Sequence, residues 1–270
     1  LEYSGQLPAW LAAAAAALLV LGFLVYGTLL RRLLASWGKV RVGRLGFPDL
    51  LFAVVLSTWF LVLAASGFRH APKPVQGSDI LSGSLIYMLV ISAIIFSLRS
   101  RRIHALRLFG IHRLSFPVAF GIGTLLLVAA YPLIVSAFAA TQSFMGLTAR
   151  RQEIVEFFID ASHNADRWSL VMTMLLGIVL APIAEEFIFR GYLYGVFKRY
   201  LGISAALLLN SALFAAVHLN LASLPALFVL AACFTIAYEA TGSLLVSMCM
   251  HALFNLASFA AMLTYSNSFK

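Results

Sequence analysis

The chain has 270 residues, of which 62% are hydrophobic and 11% charged, and its mean hydropathy is +0.97. A water-soluble domain carries about a quarter charged residues, so this composition excludes one and points to an all-α, polytopic membrane protein. The formal charge of +9 would suggest nucleic acid in a soluble protein; in a membrane protein basic loops account for it, and no nucleic-acid partner is expected.

Eight apolar stretches with polar borders are predicted to cross a bilayer. The first, Pro8–Leu30, has no basic segment ahead of it and is too long for the apolar region of a signal peptide, so it reads as a retained span. Phe47–Ser66, Ser82–Leu98 and Leu114–Ala140 follow. The stretch "TARRQEIVEFFIDASH" then sets charges against Ile154, Val155, Phe157, Phe158 and Ile159, and predicts a short amphipathic helix lying in the interface. Together these make an N-terminal four-span region, residues 1–167. A second four-span region, 168–270, holds Trp168–Val196, Ile203–Leu219, Ala222–Ala240 and Ser243–Leu263, and the two form one integral membrane domain. The third and sixth spans are short; the fourth and fifth are long enough to tilt. Trp10, Trp37 and Trp168 lie near span borders and suit an aromatic belt. Cys233 and Cys249 sit in apolar runs without a CxxC pattern, as small core residues do.

Loop charge orients the spans. The first connection holds Arg31, Arg32, Lys39, Arg41 and Arg44, and the third holds Arg99, Arg101, Arg102, Arg107 and Arg113, with no acid in either. The fourth contains Glu153, Glu156, Asp160 and Asp166. The positive-inside rule therefore places the first and third connections, with Lys198 and Arg199, in the cytoplasm and both termini outside.

Ionisable side chains inside a bilayer cost at least about 2.5 kcal/mol each and face the protein interior or a water-filled cavity. They concentrate in the second region: Glu185 and Glu186 in span five, His218 in span six, His251 with Asn255 in span eight. At about 1.5 Å rise per residue, these groups occupy adjoining layers of the membrane reachable from one side. Glu186 and Arg190 form an i,i+4 pair with the acid first, which gives Glu186 a structural partner and leaves Glu185, about 100° round the helix, free to face elsewhere. Phe214 with His218, and His251 with Asn255, share helix faces in the same way. A carboxylate and a histidine converging on a water act as general base and then acid. A second histidine and an amide are donors for a developing oxyanion. Taken singly, each has a plainer reading: Glu186–Arg190 as a helix-holding pair, the histidines and Asn255 as interhelical hydrogen bonders, Phe214 as packing. Pro182 is expected to kink span five just before the acids.

Three segments carry a resemblance. "EEFIFR" (Glu185–Arg190) fits EExxxR, "FAAVH" (Phe214–His218) fits FxxxH and "HALFN" (His251–Asn255) fits HxxxN, with "YEATGSLL" leading into the last. In this order they resemble the CPBP family of CAAX prenyl endopeptidases of the Ras-converting type and their bacteriocin-processing, Abi-type relatives. The resemblance covers roughly Trp168–Leu263. It implies an eight-span intramembrane protease of glutamic type, in which Glu185 activates water, His218 assists, His251 and Asn255 form the oxyanion hole, and Glu186, Arg190 and Phe214 support the site. It implies no cofactor, and as partners a peptide or membrane-protein substrate (lipidated or not), membrane lipids and other membrane-protein subunits. The expected location is a bacterial inner membrane with the site open to the cytoplasm.

Two other readings stand beside it. Glu185, His218 and His251 would supply three ligands to a zinc ion, although no HExxH is present. Alternatively the chain keeps the fold as a non-proteolytic scaffold or assembly subunit, with the basic loop Arg99–Arg113 as a docking surface. A transporter is disfavoured by the lack of a visible inverted repeat.

Overall fold

The computed structural model describes residues 8–69, 77–145 and 167–267; the interfacial helix expected between spans four and five lies outside them. Helices α1 (Ala9–Ser36), α2 (Phe47–Arg69), α3 (Gly77–Ser100), the short α4 (Ala105–Leu108) and α5 (Phe116–Met145) make the first region. The second begins with α6 (Arg167–Leu175), a π turn (Leu176–Leu180), α7 (Ala181–Glu185) and a π segment (Glu186–Leu193). It continues through α8 (Tyr194–Val217) and α9 (Leu224–Thr241) to α10 (Leu244–Asn267). No strand occurs among the described residues, and seven helical stretches are long and apolar enough to cross a membrane.

One of these, Val171–Val217, runs for 47 residues, over twice the length a crossing needs. It is broken at Gly202, whose φ of 80° and ψ of 174° lie in a region essentially reserved for glycine. The break falls between the fifth and sixth predicted spans. The third span corrects the expectation of a short one: α3 has 24 residues. Its serine, glycine and aspartate at the start mark the edge of the hydrocarbon, not the end of the helix.

At the centre sits α9, with 61% of its spanning stretch buried, against 11% for α1 and for α3, which face lipid. It packs against α1, α5, α8 and α10. Lipid tails are as apolar as leucine, so helices in a bilayer associate through close packing and polar bonds rather than hydrophobic burial. Gly123 shows the first: a Cβ there would stand 3.1 Å from the Val246 carbonyl and 3.2 Å from Cys249 Cβ, so its absence lets α5 and α10 touch. Tyr26 shows the second, donating from α1 to the Leu126 carbonyl of α5 at 2.9 Å. Cys233 and Cys249 are buried, as expected.

Two polar clusters tie the loops to this core. Lys198, expected as a border charge, is fully buried: its Nζ donates to Glu239 Oε1 at 2.6 Å and to the Val40 carbonyl at 3.0 Å. Tyr194 donates to the same carboxylate oxygen at 2.7 Å, and the Val40 N–H to the other at 3.1 Å. In the second cluster Arg101 forks onto the buried Asp49 at 2.6 and 2.5 Å, while the Gly46 N–H and Tyr192 also donate to that carboxylate.

Candidate active site

The polar residues of the second region are positioned by interruptions of the α-helix. Pro182 has no N–H and its ring crowds the preceding turn. The chain accommodates it with the π turn Leu176–Leu180, in which the Ala181 N–H bonds the Leu176 carbonyl. In that register the donor to Gly177 would be residue 182, which is the proline. The orphaned Gly177 carbonyl is met instead from α10, by Asn255 Nδ2 at 2.7 Å. The kink expected at Pro182 is thus a widened turn, and Asn255 is fastened to it. One of its two amide hydrogens remains.

The π segment Glu186–Leu193 is buried along its whole length. Within it Arg190 Nη1 donates to Glu186 Oε1 at 2.9 Å, the ion pair expected from the spacing. The same oxygen faces His251 Nδ1 at 3.0 Å, so Glu186 does more than hold Arg190: it orients the imidazole across the interface with α10. The carboxylate only accepts, so Nδ1 carries the hydrogen and Nε2 is the nitrogen left over. That nitrogen stands 3.8 Å from Glu185 Oε2. Arg190 also reaches the Ala231 carbonyl at 3.4 Å, and its guanidinium lies over the rings of Phe214 at 4.2 Å and Phe234 at 5.2 Å.

His218 caps the end of α8. Its own N–H bonds the Ala215 carbonyl, leaving the carbonyl of Phe214 without its α-helical partner. The His218 side chain supplies one: Nδ1 lies 2.7 Å from that oxygen. A carbonyl only accepts, so the hydrogen sits on Nδ1 and Nε2 keeps a lone pair in the neutral ring. The FxxxH spacing is what brings this about. The Phe214 ring, fully buried, stacks near His218 (4.5 Å between centroids) and His251 (5.9 Å), and meets Phe189 edge-on.

Glu185 differs from its neighbour. Its side chain is 13% exposed, against 0% for Glu186; Oε2 of each is buried without a hydrogen-bond partner among the described residues, but Glu186 Oε1 is tied to Arg190 and His251. It interacts electrostatically with His218 and with Tyr87 of α3. Glu185, Glu186, Arg190, Phe214, His218 and His251 thus form one cluster, with Asn255 one turn further along α10. The Gly177 carbonyl, Phe234 and Tyr87 were missed in the sequence. Pro182 was the available signal for the first; a tyrosine within an apolar span gave none for the last. Among the described residues no group of three His, Cys, Asp or Glu side chains is disposed to hold a metal ion, so the three-ligand arrangement weighed above is not assembled.

No curated protein and no solved structure matches the chain. Its motif-bearing segment does find a family. Residues 167–257, which carry the two glutamates, Arg190, Phe214, both histidines and Asn255, match the model of the type II CAAX prenyl endopeptidase Rce1-like family, a resemblance that spans about a third of the chain.

Proposed function

We propose that the chain is an intramembrane endopeptidase that hydrolyses a peptide bond of a membrane-associated substrate with water activated by Glu185 and His218. The observation that carries this is the contrast between the two glutamates: Glu186 is wholly buried with its Oε1 held by Arg190 and His251, while the Glu185 side chain is partly exposed and its partnerless Oε2 stands 3.8 Å from His251 Nε2. A carboxylate placed so takes a proton from water, and His218 Nε2 accepts the second hydrogen bond that orients it. The hydroxide then adds to the scissile carbonyl. His251 Nε2, when it carries a proton, and the second amide hydrogen of Asn255 are the donors for the oxyanion. The proton held by Glu185 passes to the departing amine as the tetrahedral intermediate collapses. Glu186 and Arg190 hold His251 in place, and Phe214 fixes His218. The excess of arginine in the first and third connections supports a site reached from the cytoplasmic side of a bacterial-type inner membrane.

The test compares membrane proteomes of cells carrying the parent or Glu185→Gln, with cleavage of any differing substrate then measured on the purified proteins. The variant should insert and fold as the parent does and lose cleavage by at least about 100-fold, the usual contribution of general acid–base catalysis. Parental cleavage by Glu185→Gln removes the assignment. A stable stoichiometric partner with no proteome change would favour the scaffold reading.

A further inference from the structure

A shallow, open surface cavity of about 420 Å³ lies where the ends of α2 and α3 meet, lined by Arg44, Arg101, Arg102 and Ile103. Its guanidinium groups are not equivalent. Arg101 is neutralised by the fork onto Asp49. Arg44 and Arg102 are exposed, and among the described residues no acid pairs with either. Asp49 has nothing left to offer them, since Gly46, Tyr192 and Arg101 all donate to it.

The positive-inside rule explains why basic residues occur on this side, but not how Arg102 is held. The end of α3 is capped by the Ile103 N–H on the Leu98 carbonyl and the Arg102 N–H on Arg99, both at 2.9 Å. Such a cap puts its residue at positive φ, and Arg102 has φ 58° where glycine is the unstrained choice. Arg102 is thus held at the cavity against backbone strain, beside a second arginine that no acid pairs. The depth is also informative. Arg44 precedes α2 by three residues and Arg101 directly follows α3, so the cavity stands at the level of lipid phosphates.

We infer that this cavity binds a phosphate-bearing anion, with Arg44 and Arg102 as its ligands and the neutralised Arg101 as its wall. The shared chemistry is a phosphate oxygen pair received by guanidinium forks. At this depth it comes from an anionic phospholipid headgroup or from a free phosphate group.

The experiment uses the full chain in neutral detergent. Native mass spectrometry counts retained phosphatidylglycerol, with phosphatidylcholine as control, and calorimetry follows inorganic phosphate. The double variant Arg44→Gln, Arg102→Gly removes both ligands and relieves the strain, so it should fold with an unchanged or raised melting temperature. Expected is selective retention of phosphatidylglycerol, or binding of inorganic phosphate, that weakens about tenfold or more in the variant, the worth of one charge-assisted hydrogen bond. Retention of phosphatidylglycerol identifies a headgroup site; phosphate alone identifies a soluble ligand. Equal retention of phosphatidylcholine, binding of neither anion, or binding unchanged in the variant overturns the inference.

Discussion

Replacing Asn255 with alanine removes the donor that meets the Gly177 carbonyl at 2.7 Å and leaves that oxygen unpartnered between α10 and the π turn. A buried acceptor stripped of its partner costs about 1–3 kcal/mol. Interhelical bonds inside membrane proteins average nearer 0.6 kcal/mol, with a maximum of about 1.7 kcal/mol. A loss of about 1 kcal/mol is therefore expected. The cause can be isolated because the orphan carbonyl is made by Pro182. Pro182→Ala restores an N–H at the position that the π register aims at Gly177. In that background Asn255→Ala should cost close to nothing, which gives a coupling energy of about 1 kcal/mol. The assay is equilibrium unfolding of the four proteins of the cycle in mixed micelles of mild and denaturing detergent. Coupling within about 0.5 kcal/mol of zero, the usual limit of additivity, refutes the account of the π turn. Cleavage activity gives a separate reading: Pro182→Ala should not restore what Asn255→Ala loses, since the second amide hydrogen is still missing.

Further predictions follow from the two glutamates and the buried lysine. Glu186→Gln should lower both stability and cleavage, because Arg190 and His251 lose a shared charged acceptor; a melting temperature equal to the parent's would contradict it. Glu239→Gln leaves Lys198 as an uncompensated buried cation and should cost about 3–5 kcal/mol, read by the same unfolding assay, whereas Lys198→Met with Glu239→Leu should recover most of it. Chelation of the purified protein should leave cleavage unchanged, with no stoichiometric zinc by elemental analysis; zinc lost in step with activity would restore the metalloprotease reading.

The fold was legible because hydropathy reports what lipid permits, and the break between spans five and six was legible as the polar Lys198–Gly202 border. Within the site, only relations along one helix were readable: the i,i+4 spacing of Glu186 and Arg190 and of Phe214 and His218. Relations between helices were not. Nothing in the residues says that His251 reaches Glu186 or that Asn255 reaches Gly177, since such pairs depend on helix rotation and on two π interruptions invisible to a 3.6-residue periodicity. Pro182 signalled a disturbance but not its form. Lys198 misled because a lysine at a span border ordinarily lies in the headgroups, and its partner Glu239 lies 41 residues on, near the far end of the next helix, α9.

The clamp at Glu239 also sets a timetable. Val40 and Glu239 lie 199 residues apart, so at about 5–20 residues per second the loop after α1 waits roughly 10–40 s for its anchor to be synthesised. Lys198 waits less, for 41 residues, but a lone ammonium cannot settle among apolar side chains in the meantime. The clamp of Glu239 with Lys198 and Val40 therefore closes only once α9 has been made, and that closure is an event of late biosynthesis rather than of helix-by-helix insertion.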